Sequence, residues 1–186
     1  MFRAYKYRLY PNKIQEDLFN KHFGCCRLVY NLALETKMYA YKHFRVSRSA
    51  YDLEKDLPEL KKEFKWLKEV NAQSLQSSIK NMGNAYKKFF KGGGYPKFKS
   101  KYSKQSFHCP QHVEVDFNVC KIYLPKFKSG IDIILDRSFA GKIKTVTISK
   151  TPTGKYFASI LVECEKVIPV KKPILPETTI GIDLGL

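Results

Sequence analysis

The spacing of apolar residues changes once along this chain, from helical before three consecutive glycines to alternating after them, and this change constrains the fold most. In the segment before the glycines, the apolar residues fall on one face of a helical wheel: Ala72, Leu75, Ile79, Met82, Tyr86 and Phe89. Asn71 predicts where this helix begins, because its side-chain oxygen can accept a backbone N–H, and Gly92–Gly94 predict where it ends. The alternating pattern that follows predicts strands at residues 112–117, 121–124, 131–135, 144–151 and 155–163. The chain is therefore predicted to be an α+β protein.

A second helical pattern occupies the first part of the chain. Residues 4–10 predict a strand, and Asn12 with Gln15 three positions later forms a capping-box pattern. The predicted helix runs to about residue 41, and its apolar face holds Ile14, Leu18, His22, Cys25, Val29, Leu32 and Tyr39. Gly24 predicts a kink or a division into two helices, and a divided pair is typical of helix-turn-helix DNA-binding proteins. One glycine in a long amphipathic helix is, however, commonly tolerated.

Residues 47–65 mix charges of both signs around Pro58, which is typical of short helices packed on a longer one. The strand at residues 4–10 is expected to close the sheet of the later strands, giving a small barrel or sandwich with the helices inserted. A proline-rich linker at residues 167–177 then precedes the last nine residues.

The charge of the chain indicates a polyanionic partner. The formal net charge is +17 in 186 residues, and residues 87–104 contain seven lysines and no acid. An anionic membrane would require a basic amphipathic helix of low polarity or a lipidation signal, and the sequence has neither. With no predicted signal peptide or spanning helix, we expect a cytoplasmic, nucleoid-associated protein of a prokaryote that binds nucleic acid and not a membrane.

The five cysteines form no CxxC pair, and their odd number and irregular spacing favour reduced thiols over a disulfide framework. His108, Cys109, His112 and Cys120 resemble a zinc set only loosely, because zinc ligands normally come as two closely spaced pairs. We therefore expect no zinc in this chain.

The polar face of the helix before the glycines carries side chains suited to nucleic acid. It presents Gln73, Gln76, Ser77 and Lys80, and amide side chains can pair bidentately with adenine in a major groove. The loop that follows offers cations for phosphates and rings on which bases stack: Tyr95, Lys97, Phe98, Lys99, Lys101 and Lys104. Arg27 and Asn31 lie off the apolar face of the first helix, where they can meet phosphate. The alternative is a solvated helix face followed by a basic surface loop.

The last nine residues, TTIGIDLGL at 178–186, place Asp183 inside an apolar strand flanked by glycines. Such a carboxylate is accessible to a metal ion or a phosphate, as in the GIDLG strand of actin-like ATPases and the first strand of RuvC-type nucleases. Its place at the end of a basic, β-rich chain favours the nuclease. The alternative is an ordinary buried strand.

Taken in order, these pieces resemble the N-terminal part of the TnpB family of insertion-sequence RNA-guided DNA nucleases, related to type V CRISPR effectors. The resemblance is carried by AYKYRLYPN (4–12), FGCCRLVYNLAL (23–34), WLKEVNAQSLQSSIKNMGNAYKKFF (66–90), GYPKFKSKYSKQSF (94–107), LPKF (124–127) and GIDLGL (181–186). It covers essentially the whole chain.

The resemblance implies a wedge-type, oligonucleotide-binding-like β-barrel with an inserted helical recognition lobe, followed by the first strand of an RNase H-like RuvC domain. The expected divisions are the first barrel strand (1–11), the recognition lobe (12–92), the basic loop and rest of the barrel (93–166), the linker (167–177) and the RuvC strand (178–186).

The resemblance also implies roles for individual residues. Those expected to contact a short duplex motif beside the target are Tyr51, Gln73, Gln76, Ser77, Lys80, Phe107 and His108. Those expected to hold guide RNA or its phosphates are Lys6, Arg8, Arg27, Asn31, Lys87, Tyr95, Lys97, Phe98, Lys99, Lys101 and Lys104. Sequence recognition of the target itself would be delegated to base pairing.

Asp183 would be the first catalytic carboxylate and Mg²⁺ ligand of a complete RuvC site. The other RuvC acids and the zinc-ribbon cysteine pairs of such a protein would lie beyond Leu186, and that portion is an expected partner. One carboxylate cannot hold two Mg²⁺ ions, so we expect these residues to bind guide RNA and double-stranded target DNA without cleaving. The competing hypotheses are a stand-alone helix-turn-helix repressor or accessory transposition protein, and an ATPase fragment.

Overall fold

The computed structural model describes residues 1–102, 104–164, 177 and 180–181. The helices are α1 (Lys13–Phe44), α2 (Ala50–Lys55), α3 (Leu57–Glu63), a short 3-10 helix (Lys65–Lys68) and α4 (Ala72–Phe89). The strands are β1 (Phe2–Tyr10), β2 (Gln105–Cys109), β3 (Glu114–Asp116), β4 (Lys121–Tyr123), β5 (Ile131–Ile134), β6 (Lys142–Lys150) and β7 (Tyr156–Glu163). The α+β prediction is confirmed.

All seven strands form one antiparallel sheet in the order β2-β6-β7-β1-β5-β4-β3. The opening strand lies inside it, because Phe2–Leu9 pair with β7 and Arg8–Tyr10 pair with β5. The prediction that this strand joins the sheet of the later strands, with the helices inserted between, is confirmed. So is the hairpin of β6 and β7, whose turn uses Gly154 at φ +78°.

A short link shows that the sheet is curled. Its two outer strands, β2 and β3, follow each other in sequence, and only five Cα steps separate Cys109 from Glu114. Such a link reaches at most about 18 Å. Neighbouring strands lie about 4.8 Å apart, so a flat sheet would hold the outer strands about 29 Å apart. The wedge-type barrel itself stays a prediction, as do the domain divisions, and the RuvC strand lies outside the described residues.

Helix α1 covers the inner face of the sheet. Phe19 is fully buried, with its ring 6.0 Å from that of Phe107 and 5.4 Å from that of Tyr156. The predicted capping box is present, because Asn12 accepts the backbone N–H of Gln15 and the Gln15 side chain accepts that of Asn12. This box fixes where the helix begins.

Helix α1 differs from the predicted pattern at three positions. It is continuous from Lys13 to Phe44, so Gly24 does not divide it, and the alternative of a tolerated glycine holds. The cost of one helical glycine, about 1 kcal/mol, is small beside the burial of Phe23 and Cys26 next to it. Ile14 and Tyr39, expected on the apolar face, are 80% and 57% exposed. Ile14 lies in the first turn of the helix, and Tyr39 lies in its last part, where it lines a groove beside the end of α4.

Helix α4 forms as predicted, except that Ala72, expected on its apolar face, is exposed. Asn71 caps it by accepting the N–H of Gln73, and Gly92, at φ +88°, turns the chain just past its end. Leu75, Ile79, Met82 and Tyr86 are buried. The short helix α2 packs closely on α4 at Gly83, where a Cβ would lie 2.8 Å from that of Ala50.

Strand β2, at Gln105–Cys109, was not among the predicted strands, and the strand predicted at residues 112–117 is the shorter β3, at Glu114–Asp116. Only Phe107 and Cys109 alternate into the core in β2, too short a pattern to stand out beside the lysines before it. Residues 112–113, expected in the next strand, lie in the link between the two outer strands.

Candidate nucleic-acid interface

A polar cleft of about 250 Å³ lies where α1, α4, β2 and the basic loop (residues 93–104) meet. We call it the basic cleft. Its lining includes Arg27 from α1, Ser78 and Asn81 from α4, Lys99 and Lys104 from the loop, and Ser106 and His108 from β2. The fold thus brings together cations that are far apart in the sequence.

The basic loop is fastened to α1 by one side chain. The Asn31 amide donates to the carbonyl oxygen of Lys99 at 2.9 Å and accepts its backbone N–H at 2.8 Å. The Lys99 ammonium lies 4.1 Å from the centre of the Tyr30 ring, and surrounding protein lowers the pKa of this lysine. Asn31 was expected to bind phosphate. Its amide instead holds Lys99, whose side chain remains exposed.

Strand β2 supplies the opposite wall of the basic cleft. Arg27 donates to the side-chain oxygen of Gln105 at 3.0 Å. The ring of His108 lies 2.9 Å from the Thr147 hydroxyl, between Nδ1 and Oγ1. Burial lowers the pKa of His108, and the positive charge of Lys99 adds to this effect. A neutral His108 can therefore donate or accept a hydrogen bond inside the cleft.

The polar face of α4 continues from this wall. Ser74 donates to the carbonyl oxygen of His108 at 2.6 Å, which fixes the helix beside the strand. Gln73 donates to the side-chain oxygen of Gln111 at 2.9 Å. Gln76 is exposed. Ser77, one residue on, is partly buried. The predicted residues of this face thus differ in how free they are to contact a ligand.

Tyr51 and Lys80 border the same face from the side of α2. Tyr51 is 68% exposed, and the ammonium of Lys55 lies 4.6 Å from the centre of its ring. Lys80 makes a long ion pair with Glu54 at 3.9 Å while its side chain stays 64% exposed. An exposed pair at this distance is weak, so Lys80 stays available to another anion.

Phe107 lines the basic cleft from inside, but it is almost completely buried. It is 1% exposed and packs against Phe19 and Phe23, with its ring 4.7 Å from that of His22. Because it points to the inner side of β2, its neighbour His108 points outward. Of the two neighbours expected to contact DNA, the strand alternation therefore leaves His108 accessible, whereas the burial of Phe107 argues against a direct contact by its ring.

Lys6 and Arg8 project from the outer face of the sheet, away from the core residues Tyr7 and Leu9. Their charged groups lie 4.5 and 5.2 Å from the centre of the Phe157 ring on β7. The register aligns Lys6 with small hydroxyl residues and His108 in one row across β1, β7, β6 and β2: Lys6, Ser159, Thr147 and His108. This row continues from the basic cleft, and sequence reasoning missed Ser159 and Thr147. The signal that could have identified them is the alternation of hydroxyl residues with buried apolar residues along β6 and β7.

The remaining predicted cations, Lys87, Lys97, Lys101 and Lys104, are all exposed. Tyr95 and Phe98 lie elsewhere, in a groove at the far end of α1 and α4. Within the part of the chain that the structure describes, every ion pair lies outside the basic cleft. The positive charge of the cleft is therefore not neutralised by acids of the described residues.

The described residues form no metal site. No three His, Cys, Asp or Glu side chains gather within residues 1–102 and 104–164 in a way that could hold an ion. Asp183 lies outside the described residues. The five cysteines are free thiols, and burial raises the pKa of Cys26 to about 12 and that of Cys109 to about 11. Among the described helices, none is long and apolar enough to cross a membrane.

Residues 1–45 match the helix-turn-helix domain of OrfB proteins of the IS605 type. These residues form β1 and the continuous helix α1, without a turn between two helices. A helix-turn-helix arrangement is thus the description of the matching domain and not the local structure of this stretch.

The chain is also similar to three curated proteins. It is 33% identical over 192 residues to "Putative RNA-guided DNA endonuclease InsQ" of Escherichia coli (strain K12), covering 99% of this chain and 45% of that protein. It is 32% identical over 191 residues to "Putative RNA-guided DNA endonuclease" of Streptomyces pristinaespiralis, covering 99% of this chain and 46% of that protein. "Virulence protein VsdF" of Salmonella dublin is 32% identical over 116 residues, 56% of this chain and 98% of that protein. The chain spans just under half the length of the two endonuclease relatives.

Proposed function

Since the chain belongs to the TnpB family, whose relatives are named RNA-guided DNA endonucleases, we propose that it binds guide RNA and double-stranded target DNA. The observation that carries this proposal is the convergence of Arg27, Lys99 and Lys104 on one cleft beside the polar face of α4. The net charge of +17 supports the same conclusion.

The cations of the basic cleft would contact the nucleic-acid backbone. The Arg27 guanidinium donates to Gln105 before any ligand arrives, and the Lys99 ammonium lies over the Tyr30 ring while Asn31 fixes the Lys99 backbone. Fixed cations lose little side-chain entropy on binding phosphate, and they set the position of the duplex without selecting its sequence. Lys6 and Arg8 would extend this contact across the outer face of the sheet.

Base recognition would fall to the exposed face of α4. From Gln73 to Lys80 the helix rises about 10 Å, which corresponds to roughly three base pairs of duplex. Gln73 is already engaged with Gln111. Gln76 is the amide of this face whose exposure suits it best to pair with an adenine edge, and Lys80 suits guanine or phosphate. His108 and Tyr51 flank this surface.

Cleavage is not part of the proposal for these 186 residues. Asp183 would contribute one carboxylate to a RuvC-type site, and a two-metal site requires several. We propose that the chain binds nucleic acid without Mg²⁺ and does not hydrolyse it. Nuclease activity that Asp183→Ala abolished would contradict this.

The experiment compares neutralised cleft cations with a neutralised cation elsewhere. The triple variant Arg27→Gln, Lys99→Gln, Lys104→Gln removes three side chains expected to bind phosphate. Lys62→Gln is the matched control, because this exposed lysine pairs with Glu59 away from the basic cleft. Fluorescence anisotropy with duplex DNA and with structured RNA, over a range of salt concentrations, measures affinity and its salt dependence.

Affinity decreases with salt, and we expect this dependence, as the slope of log affinity against log salt, to become shallower by about 0.7–0.9 for each phosphate that the protein no longer neutralises. The slope of the triple variant should thus be shallower than that of the parent by about two to three, while the slope of the control stays unchanged. The same slope in both variants would overturn the proposal. RNA that co-purifies with the protein supports guide binding, whereas duplex binding without any RNA preference would favour the stand-alone DNA-binding alternative, and a nucleotide-dependent thermal shift would favour the ATPase alternative.

A further inference from the structure

A second concave surface lies at the far end of α1 and α4. It encloses about 690 Å³ between the last turns of both helices and the start of the basic loop. Its lining includes five aromatic residues whose exposed fractions are large: Tyr39 (57%), Tyr41 (57%), Phe90 (78%), Tyr95 (47%) and Phe98 (54%). We call this surface the aromatic groove.

The floor of the aromatic groove is rigid. Tyr86 is buried, and its hydroxyl lies 2.9 Å from that of Tyr95. The Tyr95 ring stands edge-on to that of Phe89, with centroids 5.1 Å apart. The left-handed turn at Gly92 returns the loop onto the helix so that these contacts form. Above this floor Phe90 contacts Phe89 with ring centroids 5.3 Å apart, and Tyr39 contacts His43 at 4.3 Å, yet Phe90 and Tyr39 stay largely exposed to solvent.

The charges around the groove select its occupant. Glu35 is the one acidic residue among those lining it, against Lys37 and Lys42. Lys91 directly follows Phe90, and Lys97 directly precedes Phe98. Exposed rings with cations between them suit a chain of aromatic bases joined by phosphates better than they suit an apolar peptide. Bases in a duplex are already stacked on each other and offer no free faces.

We propose that the aromatic groove binds unpaired nucleotides of a single-stranded nucleic acid by stacking. The inference rests on the proposed function for its ligand class, but the site is separate from the basic cleft. The basic loop connects the two, since Tyr95 and Phe98 line the groove while Lys99 and Lys104 line the cleft. A strand leaving a duplex in the cleft can thus follow the loop into the groove.

The test uses Tyr39→Ala and Phe98→Ala in the full chain. Trp66→Ala is the matched control, because Trp66 is 43% exposed on a different surface, beside Gly24 and Leu28. Ligands are 12-nucleotide oligoadenylates of RNA and of DNA and a 20-base-pair duplex, measured by fluorescence anisotropy. We expect each groove variant to bind the single strand roughly tenfold more weakly, with duplex affinity within twofold of the parent. The two oligoadenylates show which sugar the unpaired strand carries.

A spectroscopic readout separates stacking from indirect effects. Trp66 is the only tryptophan, so Tyr39→Trp in a Trp66→Phe background places the sole indole in the groove. Quenching of its fluorescence by oligoadenylate and not by duplex supports the inference. This result would stand even if the cleft variants contradicted the proposed duplex binding. The inference would be overturned if the groove variants lost the same affinity for single strand and duplex, or if they lost no affinity for the single strand. A concentration-dependent self-association that Tyr39→Ala abolishes would also overturn it.

Discussion

His22 makes the stability of the protein depend on pH. The buried ring joins α1 to the first turn of α4, since its Nε2 accepts the N–H of Asn71 at 3.1 Å. Its Nδ1 donates to the carbonyl oxygen of Leu18 at 2.8 Å. Both nitrogens are thus used by a neutral imidazole. Burial lowers the pKa of His22 from 6.5 to about 4, with a smaller contribution from the charge of Lys126.

The direction of the effect follows from linkage. Between about pH 6.5 and pH 4 the unfolded chain takes up a proton at His22 that the folded chain does not, so stability is lost as the pH falls. One pKa unit corresponds to about 1.4 kcal/mol, and the full shift to about 3 kcal/mol. At pH 5 the loss relative to pH 7.5 is about 2 kcal/mol, before most carboxylates begin to titrate.

Urea unfolding at pH 7.5 and pH 5 measures this loss. The parent is expected to lose about 2 kcal/mol, and the variant His22→Leu should lose less than half as much, although its stability at pH 7.5 is lower because Asn71 loses an acceptor. His43→Gln removes an exposed histidine from the end of the same helix and should follow the parent. A loss of equal size in His22→Leu and the parent would refute the reasoning.

Three further outcomes are expected. Asn31→Ala breaks both bonds to the basic loop, worth together about 1–3 kcal/mol, and should speed tryptic cleavage in the loop at least fivefold, whereas Asn84→Ala on the surface of α4 should not. Gly83→Ala should destabilise the fold by about 1–3 kcal/mol in urea despite its better helix propensity, and Ala50→Gly should relieve the clash. Gln76→Ala should reduce discrimination between duplex motifs by roughly 1–3 kcal/mol in competition binding; an unchanged preference would leave it as helix surface.

The elements that sequence analysis predicted well are those where several local signals agree. For α4 the apolar stripe, the cap at Asn71 and the glycine stop all indicate the same helix. For β1 and the last hairpin the alternation is long enough to identify both faces. The sequence left open whether α1 is continuous, because the packing of Phe23, which outweighs the local preference at Gly24, is a tertiary contact.

The candidate site was predictable in its chemistry and not in its geometry. The lysines of the basic loop stand out by charge alone. The role of Asn31 does not, because its partner is backbone 68 residues away. The aromatic groove combines Tyr39 with Phe90 and Phe98, which no local pattern relates. The DNA contact expected of Phe107 came from the family resemblance, and a five-residue strand carries too few alternations to show from the sequence that its ring is buried.

The position of β1 inside the sheet has a consequence for biosynthesis. Phe2 pairs with Glu163, so the first strand to leave the ribosome cannot complete its pairing until β7, the last described strand, has been made. At about 5–20 residues per second that interval is about 8–30 s. Throughout it the edge of β1 that pairs with β7 stays open, and the edge that pairs with β5 stays open until residues 131–134 are made. The nascent chain therefore depends on its helices, or on a chaperone, to keep β1 from pairing with a neighbour on the same messenger.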